Sequence, residues 1–134
     1  FIKKKSETNH ISAFQDFYST VCDILDIDIP SYVNGISFLP TLIGENQKKH
    51  NYLYWEIEGK GGQQAIRYGK WKGLKKNLKK GKQTLKLYNL ETDVKELNDV
   101  SNDYPEIVDN LEILLKEAHT TPALKEFIIP ALDN

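Results

Sequence analysis

Asn51 to Asp93 reads NYLYWEIEGKGGQQAIRYGKWKGLKKNLKKGKQTLKLYNLETD, and its side-chain rhythm decides the fold class. In the first block, Leu53, Trp55 and Ile57 alternate with Tyr52, Tyr54 and Glu56. A period of two is the mark of a half-buried strand. The glycines of EGKGG break it. QQAIRYG and KWKGL then read as two further strands with a turn at Gly69. LKKNLKKGK reads as a polar hairpin loop, and QTLKLYNL as a fourth strand with Leu85 and Leu87 on one face. Several short strands joined by short connections predict an antiparallel meander.

Outside this stretch the period lengthens. ISAFQDFYSTVCDILD places Ile11, Phe14, Tyr18, Val21 and Leu25 on one helical stripe, expected to be buried. Ser12 and Gln15 have capping-box spacing, and Asp16 suits the positive end of the helix dipole. NGISFLPTLIG carries a turn signal at Asn34-Gly35, then a short apolar turn of helix closed by Gly44. ETD provides a cap for a short helical turn near Val94 to Asn98. A second long helix is expected from Pro105, with Ile107, Leu111, Leu114 and Ala118 inward and Val108 and Leu115 widening the stripe. The tail from Thr120 to Asn134 contains two prolines and reads as irregular. Flanking helices must cover the sheet's apolar face, so the fold class is α+β: a small antiparallel sheet of about four strands packed against two main helices.

Composition sets the outer bounds. A chain of 134 residues can bury one real core. A net charge of −1 supplies no field that would favour nucleic acid, and no run of 18 apolar residues reads as a membrane span. A single cysteine permits no internal disulfide. There is no methionine and the chain opens FIKKK, so we expect a piece of a longer protein or a processed form of one.

Each chemical constellation has a plain alternative. His10, His50 and His119 share no metal-ligand spacing, and surface histidines are the default. Cys22, four residues from Tyr18, reads as a small buried hydrophobe. The lysines from Lys70 to Lys82 suggest either a polyanion-binding hairpin or a solvated tip that guards an edge strand. Trp55 shares its parity with Leu53 and Ile57 and is expected in the core. Glu56 and Arg67 are charged residues within apolar strands; an internal ion pair, a solvent face and a ligand contact all remain open.

The order of blocks is more specific than any one of them. DFYSTVCDILDIDIPSYVNGISFLPTLIG, then YLYWE, GGQQAIRYGKWKG and KLYNLETDVKELNDVSNDYPEIVDNLEILLKEAH, resembles the C-terminal region of bacterial arylsulfatase-type sulfatases. The likeness runs from about Ile11 to His119, with residues 1–10 as the remnant of a join and 120–134 as a tail. Asn34, Asn89 and Val94 stand where that family commonly has aspartate, aspartate and proline. Ile57-Glu58 follows Trp55-Glu56 where many relatives have a histidine, which implies a different sugar preference.

The resemblance implies a parent sulfuric ester hydrolase whose own catalytic groups are not in this stretch. Cys22 is followed by DILD, not by the family's [CS]-x-P-x-R context, so it is not the residue converted to formylglycine. No catalytic residue and no metal ligand is therefore expected here; calcium and formylglycine are expected in a missing N-terminal sulfatase domain. That domain is the implied partner, with a sulfated carbohydrate as ligand and a periplasmic or secreted address. The sheet is expected to form part of the substrate cleft's rim, with Tyr54, Glu56, Glu58, Gln63, Gln64 and Arg67 as substrate-binding candidates. Glu58 and Lys60 lie on a glycine-flanked loop, where ligand contacts are common. Without its partner the chain is expected to show either limited stability or self-association. The alternative is an autonomous sulfoglycan- or polyanion-binding module built on the Lys70–Lys82 hairpin.

Overall fold

A computed structural model describes Ile2 and residues 4–133. Phe1, with which the expected join begins, Lys3 and the terminal Asn134 lie outside the described residues. The chain divides into two units, Phe1–Asn51 and Tyr52–Asn134.

The C-terminal unit is built on the meander. Strands β1 (Leu53–Ile57), β2 (Gln63–Tyr68), β3 (Trp71–Lys76) and β4 (Lys86–Asn89) pair antiparallel in the order β1-β2-β3-β4. Cross-strand partners Tyr54, Ile66, Gly73 and Leu87 form one row, so their side chains share a face. Helix α3 (Pro105–Ala118) covers that face, and Ile66, Trp71, Leu85, Leu87, Leu111 and Leu115 make a single buried cluster. Gly73 allows the close approach. A Cβ there would lie 3.1 Å from Leu111 Cδ1 and 3.0 Å from Leu85 Cδ1. The Trp71 and Tyr104 rings meet at a tilt of 52° with centroids 4.8 Å apart, which anchors the residue that precedes Pro105 at the start of α3.

Leu111 and Leu115 are the centre of the α3 stripe, flanked by half-buried Ile107, Val108 and Leu114. The lysine loop is anchored rather than free. Leu78 is buried, and the N–H groups of Leu78 and Lys79 donate to the carbonyls of Gly62 and Gly61 at 3.1 and 2.9 Å. The tail is not wholly irregular. Ile129 is fully buried, and residues Pro130–Asp133 form a short helix, α4. Val94 to Asn98 forms a turn in place of the expected helix, because Asp93 accepts the Asn98 N–H at 2.8 Å and closes the chain on itself.

The N-terminal unit has the opposite grain. Helix α1 (Gln15–Ile24) buries Asp16, Ser19, Thr20 and Cys22. The apolar stripe read from its period is real but lies outside: Phe14 is 92% exposed, Leu25 60% and Tyr18 52%. Polar groups hold the inner side because they satisfy the loop that follows. Asp16 accepts N–H donors from Ala13 at 2.7 Å and Ile36 at 2.8 Å, and contacts His50 Nε2 at 2.7 Å. Thr20 Oγ1 donates to the Asp16 carbonyl and accepts from the Phe38 N–H. Ser19 donates to the Gly35 carbonyl at 2.9 Å. Any side chain at Gly35 would put its Cβ 2.2 Å from the Gln15 carbonyl oxygen, so only glycine lets the loop cross the helix. The expected capping box is displaced by one residue: Asp16, not Gln15, reaches back to a main-chain N–H. Helix α2 (Leu39–Ile43) closes at Gly44, whose φ of 83° is left-handed, as the sequence leads one to expect.

Candidate functional site

The six residues singled out in the sheet do not form one cluster; strand parity sorts them. Tyr54, Glu56 and Gln64 lie on the α3 side, where Glu56 pairs with Gln64 across β1 and β2. Gln63 and Arg67 lie on the other face, beside Leu53, Trp55 and Ile57. An internal Glu56–Arg67 pair is therefore excluded by register: the two side chains leave the sheet on opposite sides. Arg67 Nε instead donates to the Gly69 carbonyl at 3.3 Å. Trp55 does share a face with Leu53 and Ile57, but α3 covers the other one, so Trp55 is 42% exposed rather than core. Glu58 pairs with Lys79, tying the glycine loop to the lysine loop.

The inner three join a polar chain that reading the sequence did not anticipate. Gln64 Nε2 donates to the Tyr54 hydroxyl at 3.0 Å, and Tyr54 donates to Glu56. Glu56 Oε2 meets His119 Nδ1 at 2.8 Å, and His119 Nε2 meets Asp133 Oδ1 at 3.0 Å. Asp133 Oδ2 accepts the Ile129 N–H at 2.8 Å. A carboxylate at each ring nitrogen favours the doubly protonated, imidazolium form of His119, because an ionised carboxylate can only accept. Burial disfavours that charge, but the flanking Glu56 and Asp133 outweigh it and raise the His119 pKa above its ordinary value. Burial, then the bond to Glu56, holds the Tyr54 phenol protonated well above the usual range.

His119 and His50 are thus largely buried and bonded, not the surface histidines that spacing suggested. No local signal could have found the clamp, because its members are 63 and 14 residues apart along the chain. Among the described residues, no group of three or more His, Cys, Asp and Glu side chains is placed to hold a metal ion. Cys22 is buried and unpaired. No helix of the described residues is long and apolar enough to cross a membrane.

The lysine run is largely spent on internal contacts. Lys72 meets Glu96 and Lys75 meets Glu112, each at 2.5 Å, while Lys70 approaches Glu91 and lies 5.3 Å from the Trp71 ring centroid. With Lys79 on Glu58, only Lys76, Lys80 and Lys82 of the seven lack an ion pair among the described residues. A continuous cationic strip for a long polyanion is not what this loop presents.

A family model described as N-sulphoglucosamine sulphohydrolase, C-terminal, matches residues 1–121. Among solved structures, a candidate sulfatase from Bacteroides thetaiotaomicron VPI-5482 is 29% identical, with a TM-score of 0.64 over 76% of this chain and 23% of its own. A 2-O GAG sulfatase is 26% identical, with a TM-score of 0.61 and the same two coverages, 76% and 23%. The phosphonate monoester hydrolase of Agrobacterium radiobacter is 19% identical, with a TM-score of 0.61 over 84% of this chain and 26% of its own; it shares the fold alone. The chain thus spans about a quarter of the length of these relatives, between 23% and 26%. No curated protein matches it.

Proposed function

This chain belongs to the N-sulphoglucosamine sulphohydrolase C-terminal family, and from that membership we propose that it is the non-catalytic C-terminal part of a sulfatase acting on a sulfated carbohydrate. The observation that carries the reading is the outward apolar stripe of α1, Phe14, Tyr18, Val21 and Leu25, set over an inner side of Asp16, Ser19 and Thr20. An amphipathic helix that turns its apolar side away from its own unit is built to pack on another surface. The partner in this reading is a catalytic sulfatase domain. In the C-terminal unit, Trp55 and Ile57 are also exposed, on the sheet face that α3 does not cover.

Hydrolysis of a sulfate ester needs an activated nucleophile and a cation to hold the sulfate oxygens. The residues here fit neither role. Cys22 is buried outside a formylglycine context, and no acidic cluster would hold calcium among the described residues. Calcium and formylglycine are accordingly assigned to the partner domain. This chain contributes position. Tyr54, Glu56 and Gln64 set the sheet against the end of α3, while Glu58, Gln63 and Arg67 remain on exposed or half-exposed positions from which a cleft rim can be formed.

The test compares the isolated chain with the longest natural product that contains it. The isolated chain, given aryl sulfates and calcium, is expected to release no sulfate. The longer protein is expected to desulfate a sulfated sugar, with Gln63→Ala and Arg67→Ala raising KM about tenfold and changing kcat less. Turnover by the isolated chain would end the division of labour. Failure of the longer protein to release sulfate would end the assigned activity, and unchanged KM values would remove the rim.

A further inference from the structure

Between the C-terminal end of α3, the lysine loop and α4 lies a cleft of about 610 Å³. Its size falls within the range of small-molecule sites, and it is separate from the open sheet face that carries Gln63 and Arg67. Apolar side chains of Leu78, Leu115 and Leu132 line it, and polar groups converge on it from several directions: Lys75, Lys82, Gln83, Glu112, Lys116 and His119.

The charges do not cancel. Lys75 is neutralised by Glu112 at 2.5 Å, and the His119 imidazolium is held between Glu56 and Asp133. Lys82 and Lys116 have no ion pair among the described residues, so the cleft keeps two cations from two different elements. Gln83 adds an amide whose Nε2 donates to the Gly81 carbonyl at 3.3 Å, while its carbonyl oxygen has no partner among the described residues and can accept from a hydroxyl. Two exposed ammonium groups, a free amide acceptor and an aliphatic floor suit a compact polyhydroxylated anion better than a rigid planar one, for which a guanidinium or an aromatic face would be expected.

We propose that this cleft is an accessory binding site for a sugar unit bearing a sulfate or a carboxylate, with Lys82 and Lys116 holding the anionic group and Gln83 a hydroxyl. Nothing in this assignment depends on the sulfatase reading, since the chain supplies the whole site. Because the cations are exposed, affinity should be modest and should fall with salt.

Isothermal titration of the full chain at low and moderate salt tests it, with glucose 6-sulfate, glucuronate, inorganic sulfate and glucose as probes. The two charged sugars are expected to bind, each at least tenfold more tightly than glucose or inorganic sulfate. Lys82→Ala with Lys116→Ala should weaken both at least tenfold at an unchanged thermal midpoint. Lys76→Ala with Lys80→Ala, on lysines of the same loop that do not line the cleft, should leave binding as it was. Discrimination between the two charged sugars would identify the preferred anionic group. Absence of binding by either, equal binding of glucose, or equal loss in the two double variants would each overturn the site; equal binding of inorganic sulfate would reduce it to a bare anion contact and overturn the sugar assignment.

Discussion

Residues up to Asn51 and residues from Tyr52 onward solve the burial problem in opposite ways. The C-terminal unit encloses Ile66, Leu87, Leu111 and Leu115 between a sheet and a helix, and turns most of its charge outward. The N-terminal unit encloses Asp16, Ser19 and Thr20, and turns Phe14, Phe17, Tyr18 and Leu25 outward. Apolar burial drives folding in the first case. In the second, hydrogen bonds fix a shape whose apolar surface is still unspent. One unit buries its apolar side chains and exposes charge; the other buries polar groups and exposes an apolar stripe.

The largest effect that could break this contrast is expected in the C-terminal core. Leu111→Ala empties a site that is fully buried against Ile66 and Leu85, and should cost about 2–5 kcal/mol. Both tryptophans, Trp55 and Trp71, lie in this unit, so urea unfolding followed by their fluorescence reads the loss directly. A cost below about 1 kcal/mol would mean that α3 does not hold the sheet as tightly as its packing indicates.

The N-terminal unit should respond to a polar deletion instead. Asp16→Ala strands the N–H groups of Ala13 and Ile36 and leaves His50 unpartnered. Leaving buried donors unsatisfied costs about 1–3 kcal/mol. Burial pushes the Asp16 carboxyl up, but the two N–H donors and His50 pull it below its ordinary value, so its contribution is present above about pH 3.8 and fades as pH falls through the lowered value. Hydrogen exchange at the Ile36 amide is the measurement. Exchange unchanged in the variant would show that the loop is held by something other than Asp16.

A smaller, pH-dependent effect belongs to the clamp on the tail. The His119 pKa is raised in the folded state, so its contribution is complete below about 6.5 and is lost as pH rises through the raised value. Asp133 is shifted the other way. Burial opposes its charge, yet the Ile129 N–H and His119 lower its pKa, so its share is lost only in acid. The protection factor of the Ile129 amide, corrected for intrinsic exchange, should therefore fall about tenfold between pH 6 and 9. That corresponds to one charge-assisted bond of about 1.4 kcal/mol. His119→Gln should flatten the profile; a parent protein with a flat profile would show that the imidazolium does not hold the tail.

What could be read from the sequence follows from how far each interaction reaches. Period-two alternation and glycine punctuation are local, so the four strands and their meander order were legible, as was Pro105 at the start of α3. Parity also placed Trp55 correctly beside Leu53 and Ile57. Which of the two faces a helix would cover was not in the strand. That depends on α3, some fifty residues on, and Tyr54 rather than Trp55 proved to be inside. The candidate site divided for the same reason. Glu56 meets His119 across 63 residues, a distance over which no spacing rule operates. In α1 the stripe was legible but its direction was not, because an amphipathic period does not say whether the apolar side meets its own unit or another.

That ambiguity yields the smallest expected change in stability. Phe14→Ser with Leu25→Ser removes two of the most exposed apolar side chains of the α1 region, 92% and 60% exposed. If the stripe faces solvent in the isolated chain, nothing inside is lost and stability should move by no more than about 0.5 kcal/mol. Association is where the effect should be seen. Sedimentation of the parent chain should show concentration-dependent self-association through this apolar surface, and the double variant should sediment as a monomer. Loss of folding in the variant would mean that the stripe is packed within this chain, and the two units would no longer differ in kind. A parent that is monomeric at every concentration would leave the inverted burial in place but remove its reading as an adhesive surface. The informative outcome is the combination: unchanged stability with altered association is what an interface produces and a core does not.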